Sequence, residues 1–152
     1  MFVTNHALAG AALGLVLRRP VAAATAGVAS HLAMDMVHHW GKPDIDWDSF
    51  VRVARVDGAV ALTITAAVAA LTPARARSSA LAGLAGACAV DLDKAGRHFV
   101  GRSPFPAPVD RLHNRIQNES PVGHRVEALW AAGLAAGLTA LLAGVRVRPA
   151  KG

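Results

Sequence analysis

Residues 128–145 read ALWAAGLAAGLTALLAGV, eighteen consecutive positions without a charged side chain. A helix of that length rises about 27 Å, close to the roughly 30 Å hydrocarbon core of a bilayer. Working outward from it, shorter charge-free runs recur at 20–34, 58–74 and 78–90. Alanine supplies 34 of the 152 residues and β-branched alternation is scarce, so these blocks predict helices rather than strands. Five are expected, over about 4–17, 20–39, 51–72, 79–97 and 121–145, in one all-α domain spanning 1–152.

The breaks between the blocks carry the next inference. Arg18-Arg19-Pro20 and Thr72-Pro73 predict tight turns, and Pro104, Pro106 and Pro108 predict an extended loop that finishes as a short polar helix holding His113 and Gln117. Ser120-Pro121 reads as the cap and first position of the last helix. If the five helices alternate in direction, one end receives Arg18, Arg19, Arg75, Arg77, Arg146, Arg148 and Lys151 and no acid. All ten acidic residues and all seven aromatic residues fall at the other end. A soluble bundle has no reason to sort its side chains this way, whereas a polytopic membrane bundle does. The lipid bilayer is the expected partner, and the dense basic clusters in short loops place their end in the cytoplasm of a multi-pass cell-membrane protein. Gly10-Ala-Ala-Leu-Gly14 and Gly133-Leu-Ala-Ala-Gly137 are small-xxx-small patterns that let helix backbones approach.

Other classes recede. The net charge of +6 comes with no basic run interleaved with aromatics, so nucleic acid is not an expected partner. The lone Cys88 sits in an apolar block and reads as a small buried hydrophobe. MFVTNH lacks a positive region before its apolar stretch, so no removable signal peptide is expected. Asp44-Ile45-Asp46-Trp47-Asp48 begins like a calcium loop, but Ser49 stands where the glycine belongs and Arg55 where the glutamate belongs. It is expected to be an interfacial turn.

Against this greasy background SHLAMDMVHHW, residues 30–40, is the anomaly. Helical spacing puts His31, Asp35 and His38 on one face. His6, Asp57, Asp91 and His113 approach the same end of the bundle, and ionisable groups at membrane depth mark a functional site by default. Mixed imidazole and carboxylate donors suit a divalent metal ion, Zn²⁺ first, with Mn²⁺ or Fe²⁺ as alternatives. The expected metal ligands are His6, His31, Asp35, His38, Asp57, Asp91 and His113. Such an ion lowers the pKa of bound water to about 7, which makes hydrolysis the expected reaction. Lys94, Arg97 and Arg115 are expected to bind substrate, their charge favouring a phosphoester or an anionic lipid headgroup. Two rival readings use the same residues: a transporter for metal ions or protons, and a non-catalytic membrane interaction protein.

Thr4-Asn5-His6 opening the first helix, Ser30-His31-Leu-Ala-Met-Asp35 closing the second, and the later His113-Asn-Arg-Ile-Gln117 together resemble a known family. The pattern is similar to the membrane-bound metal-dependent hydrolases of the YdjM type. Ser30, His31 and Asp35 match that family's Ser-His-x-x-x-Asp element directly, and Thr4 and His6 match its Thr-His element with one residue inserted. Pro43-Asp44-Ile45-Asp46 follows the second element here, where many members carry it before. The resemblance implies a membrane-embedded metal-dependent hydrolase.

Overall fold

The computed structural model describes residues 1–41, 46–120 and 123–147. Pro43, Asp44, Pro121, Arg148 and Lys151, whose roles were expected from sequence, lie outside the described residues. The chain is all-α apart from one minimal parallel pairing, and has seven helices among the described residues. They are α1 (Val3–Leu17), α2 (Pro20–Asp35), α3 (Trp47–Leu71), α4 (Ala74–Ala89), α5 (Leu92–Val100), α6 (Ala107–Ile116) and α7 (His124–Val147). The expected fourth block, 79–97, is two helices, because α4 stops at Ala89 and a separate amphipathic α5 starts after Asp91. The second block ends at Asp35, four residues early, and the chain turns through Met36–His38 into strand β1 (His39–Trp40). Strand β2 (Glu119–Ser120) pairs with β1 in parallel, His39 opposite Glu119.

The turns obey local chemistry. Arg18 closes α1 at φ 54° and returns its N–H to the Gly14 carbonyl, and Pro20 then opens α2 at a position that needs no donor. Thr72 is held extended ahead of Pro73, which ends α3. Asp46 caps α3 by accepting the Ser49 N–H at 2.9 Å, and Gly101 at φ 76° closes α5. At the arginine-rich end, Arg146 donates to the Leu71 carbonyl at 2.8 Å, Arg77 to that of Thr72 at 3.2 Å, and Arg75 to that of Val145. Arginines thus satisfy the carbonyls that α3 and α7 leave unpaired at their ends.

The centre is a close-packed trio of α1, α2 and α4. A Cβ on Gly83 would sit 2.2 Å from the Gly10 carbonyl oxygen, and Gly14, Gly27 and Gly86 meet backbone atoms just as closely. Only hydrogen atoms fit between these helices. Gly133 and Gly137, by contrast, face open space.

Helices α3 and α7 flank this trio. Both are long and apolar enough to cross a membrane, and only 11% of either apolar window is buried. Val56, Val60, Leu62 and Leu129 point outward from them.

Candidate metal centre

Asp35, the last residue of α2, is fully buried and gathers five groups, four of them from outside α2. Its Oδ1 lies 2.8 Å from the Met1 amino group and 3.2 Å from His6 Nε2. Its Oδ2 lies 3.1 Å from His31 Nε2, 3.1 Å from His113 Nε2 and 2.7 Å from Gln117 Nε2. The His31–Asp35 pair is the i,i+4 arm of one helix. His113 and Gln117 repeat that spacing across the end of α6.

Two of these three imidazoles are held from behind. His31 Nδ1 is 2.6 Å from the Ala87 carbonyl, which can only accept, so the hydrogen is on Nδ1 and the lone pair of a neutral ring is on Nε2. His113 Nδ1 is 3.2 Å from the Asp93 carboxylate and is fixed in the same sense. The two Nε2 atoms stand 3.2 Å apart and, with Asp35 Oδ2, form a nearly equilateral triangle of donor atoms. Ligand bonds of about 2.1 Å meeting at 90–109° separate donor atoms by about 3.0–3.4 Å. The triangle has that size, and outer partners that fix ring orientation are the usual companions of histidine ligands.

His6 adds a second sign. Its ring is fully buried, stacked on His31 at 3.8 Å, and neither nitrogen makes an aligned hydrogen bond, although Nε2 is within 3.2 Å of Asp35 Oδ1. An unsatisfied buried polar group costs about 1–3 kcal/mol, which a bound cation or water relieves. One donor atom each from His6, His31 and Asp91 lie within 4.8 Å of one another, as do those of His31, Asp35 and His113. These buried His/Asp groupings can hold a metal ion.

The fringe of the cluster is charged. Lys94 Nζ pairs with Asp91 Oδ1 at 2.8 Å. Burial alone would raise the Asp91 carboxyl, but the Lys94 ammonium together with the nearby His31 and His6 imidazoles outweighs it and holds the group down at about 2. Lys94 is correspondingly raised: burial would lower it, and Asp91 overrides that. For His113 burial also works downward, yet its hydrogen bonds to Asp35 and Asp93 push it up to about 9.

Of the residues expected from sequence, the fold brings together His6, His31, Asp35, Asp91 and His113. His38 and Asp57 stand outside this cluster. His38 is exposed, because the helix ends before it and the register of one face is lost; His39 turns inward instead. Asp57 accepts the Val3 and Thr4 N–H groups at 2.7 and 3.1 Å, capping α1 from another helix. Glu127 does the same for Phe2, binds Asn5 Nδ2 at 2.6 Å and reaches the Trp40 N–H at 3.2 Å.

Among the cations, Arg97 is committed to Asp110 at 2.8 Å and Asp93 at 3.6 Å, Arg115 is exposed on α6, and Lys94 lines a cavity. His39, Asp93 and Gln117 complete the polar network although none of them was among the expected ligands. Only Gln117, four residues after His113, carried a spacing signal.

The cavity, of about 810 Å³, runs beside α3 from Trp47 and Phe50 to Thr65, with Leu84 and Cys88 of α4 opposite. That stretch of α3 is about 27 Å long. Asp91 and Lys94, with Arg55, Asp57, His98 and Glu119, interrupt its largely apolar wall, and Asp91 Oδ1 lies 3.9 Å from His113 Nε2. Comparison with protein-family models, with curated proteins and with solved structures finds no match to this chain.

Proposed function

We propose that this chain is a multi-pass membrane protein that hydrolyses a phosphoester, on a lipid or lipid-like substrate, at a divalent-metal centre held by His31, Asp35 and His113. The observation that carries the proposal is the triangle of His31 Nε2, His113 Nε2 and Asp35 Oδ2, whose imidazoles are locked from behind by Ala87 and Asp93. The membrane reading rests on the distribution of burial. A soluble protein buries its longest apolar helices, whereas here α3 and α7 are exposed and the shorter α1, α2 and α4 are packed between backbones. The sorting of arginines and acids to opposite ends supports an extracytoplasmic position for the centre.

A divalent ion, Zn²⁺ in the first instance, supplies a Lewis acid and a water of pKa about 7. The protein's own part is positioning. Asp91 stays ionised at neutral pH and faces the cavity, where its carboxylate can accept a hydrogen bond from a nucleophilic water and orient it. Lys94 keeps its positive charge beside it and attracts an anionic group. The apolar walls along α3 accommodate an acyl chain running parallel to those of the bilayer. A metal or proton transporter would need polar side chains continuing past the centre, yet the cavity beyond Asp57 is lined chiefly by Ala61, Leu62, Thr65 and Leu84.

The test is elemental analysis of the detergent-purified protein beside His31→Ala and Asp35→Ala variants whose circular dichroism is unchanged. A stoichiometric ion lost in both variants, with release of headgroup from anionic phospholipid vesicles by the wild type alone, is the expected result. A folded wild type that takes up no Zn²⁺, Mn²⁺ or Fe²⁺ would overturn the centre. A loaded wild type inert towards those vesicles and towards soluble phosphodiesters would overturn the reaction.

A further inference from the structure

Gln117 sits in the opening between α6 and β2, touching both the centre and a histidine that the centre does not use. Its Nε2 is 2.7 Å from Asp35 Oδ2 and 2.8 Å from His113 Nε2, and its Oε1 is 3.2 Å from His39 Nε2. His39 is fully buried, and its Nδ1 is 2.7 Å from the Val37 carbonyl. That carbonyl is an acceptor, so Nδ1 carries the hydrogen and a neutral ring has only a lone pair left at Nε2. An amide oxygen facing that lone pair makes no bond. The pairing works only if His39 is doubly protonated against two neutral acceptors in the interior, which is a costly arrangement.

A half-turn about the terminal bond of Gln117 exchanges Oε1 and Nε2 almost in place. After it, the NH₂ group donates to the His39 lone pair, and Oε1 occupies the position 2.7 Å from Asp35 Oδ2 and 2.8 Å from His113 Nε2. There it joins His31 Nε2, His113 Nε2 and Asp35 Oδ2, the donor set of the proposed centre. In the other orientation a bound cation takes the His113 Nε2 lone pair, so the amide N–H keeps only Asp35 Oδ2 as acceptor and the His39 Nε2 lone pair stays without a donor. Given the metal centre proposed above, on which this inference rests, we infer that Gln117 Oε1 is its fourth protein ligand. His39 is the positioning residue that sets the orientation of the amide. A neutral oxygen donor of this kind adds no charge to a set that contains one ligating carboxylate. The resulting chain, from the Val37 carbonyl through His39 and Gln117 to the ion, ties the β1–β2 pairing to the centre.

The experiment is titration of Zn²⁺ into the metal-stripped full chain in detergent, with His31→Ala as the reference for loss of the centre. Gln117→Leu is expected to weaken Zn²⁺ binding about 10- to 100-fold, and His39→Phe by about tenfold. Gln117→Glu, which keeps an oxygen at the same reach, restores binding to within a few-fold of wild type. In the double variant His39→Phe with Gln117→Leu the loss equals that of Gln117→Leu alone, because His39 acts only through the amide.

X-ray absorption of the Zn²⁺-loaded protein gives a second readout. Gln117→Leu should lose one oxygen scatterer from the shell of atoms bonded to the ion, and His39→Phe should leave the histidine count unchanged. Wild-type affinity in Gln117→Leu, with binding abolished in His31→Ala, would overturn the inference and leave the metal centre standing. Additive losses in the double variant would overturn the positioning role of His39. No Zn²⁺ uptake by the wild type would overturn the centre and the inference together.

Discussion

Substituting Gly83 by alanine separates the helices that carry the centre without touching any of its ligands. Gly83 lies where α4 passes both α1 and α2: Cβ atoms added at Gly10 and at Gly27 would each sit 2.3 Å from its carbonyl oxygen. The Cβ of Gly83→Ala would lie 2.2 Å from Gly10 O and 3.1 Å from Gly14 N, whereas ordinary contact begins at 3.4 Å. Both neighbours are backbone, so no side chain can swing aside, and α1 must retreat by about 1.2 Å. Overpacking of this kind costs about 3 kcal/mol, at the upper end of its usual range, and corresponds to roughly 6–12 °C in Tm for a chain of this size. His6 rides on α1, while the Ala87 carbonyl that fixes His31 rides on α4 one turn beyond Gly83. A bound site tolerates only about 0.5 Å of such displacement, so Zn²⁺ affinity should fall by about tenfold or more.

The assay is thermal unfolding in detergent together with Zn²⁺ titration, using Gly133→Ala as the control. A Cβ at Gly133 meets nothing within 4 Å, and alanine there gains up to about 1 kcal/mol of helix propensity. Gly83→Ala should therefore unfold well below wild type and Gly133→Ala at or above it. Equal melting temperatures for the two variants, with unchanged Zn²⁺ affinity in both, would refute the close packing of α1 and α2 on α4 as the frame of the centre.

Three further outcomes are expected. His113 is raised to about 9 while no metal competes for it, so at pH 7 Zn²⁺ displaces its proton; affinity should climb about tenfold per pH unit towards pH 9 and then level, read by calorimetry in buffers of different ionisation enthalpy. Asp57→Ala leaves the Val3 and Thr4 N–H groups uncapped and should cost about 1–2 kcal/mol in thermal unfolding, with Zn²⁺ affinity held within about threefold; loss of the metal would return Asp57 to the ligand set. Thr65→Phe fills the far end of the cavity beside α3 and should slow hydrolysis of long-chain phospholipid while sparing a short soluble phosphodiester, a split that vanishes if the acyl chain lies elsewhere.

Features governed by period and composition were legible in the sequence. Apolar runs at helical length marked α1 to α4 and α7, and the i,i+4 spacing of His31 and Asp35 marked the arm from which the centre is built. The errors fall where a single turn decides. His38 keeps the helical face of His31 only if α2 continues; with the helix capped at Met36, the inward position passes to His39. The split between α4 and α5 likewise turns on Val90 and Asp91, where no proline or glycine punctuates the run.

Carboxylates were hardest to assign, because one residue type serves two physical ends here. Asp35 points into a ring of imidazoles, while Asp57 and Glu127 point at the unpaired N–H groups at the start of α1. Both sites are electropositive, so charge alone does not tell a ligand from a cap. Geometry does. A cap contacts successive backbone donors, as Asp57 does at Val3 and Thr4, and its carboxylate is then spent. Asp35 contacts side-chain nitrogens whose other faces are already occupied by Ala87 and Asp93, so their free lone pairs have no protein donor to satisfy all of them together. The same criterion separates the two neighbouring histidines. His39 spends Nδ1 on a carbonyl and turns Nε2 towards an amide that faces the centre, whereas His38 faces solvent. Where buried groups are fixed from behind and left with lone pairs in front, a cation can satisfy them together.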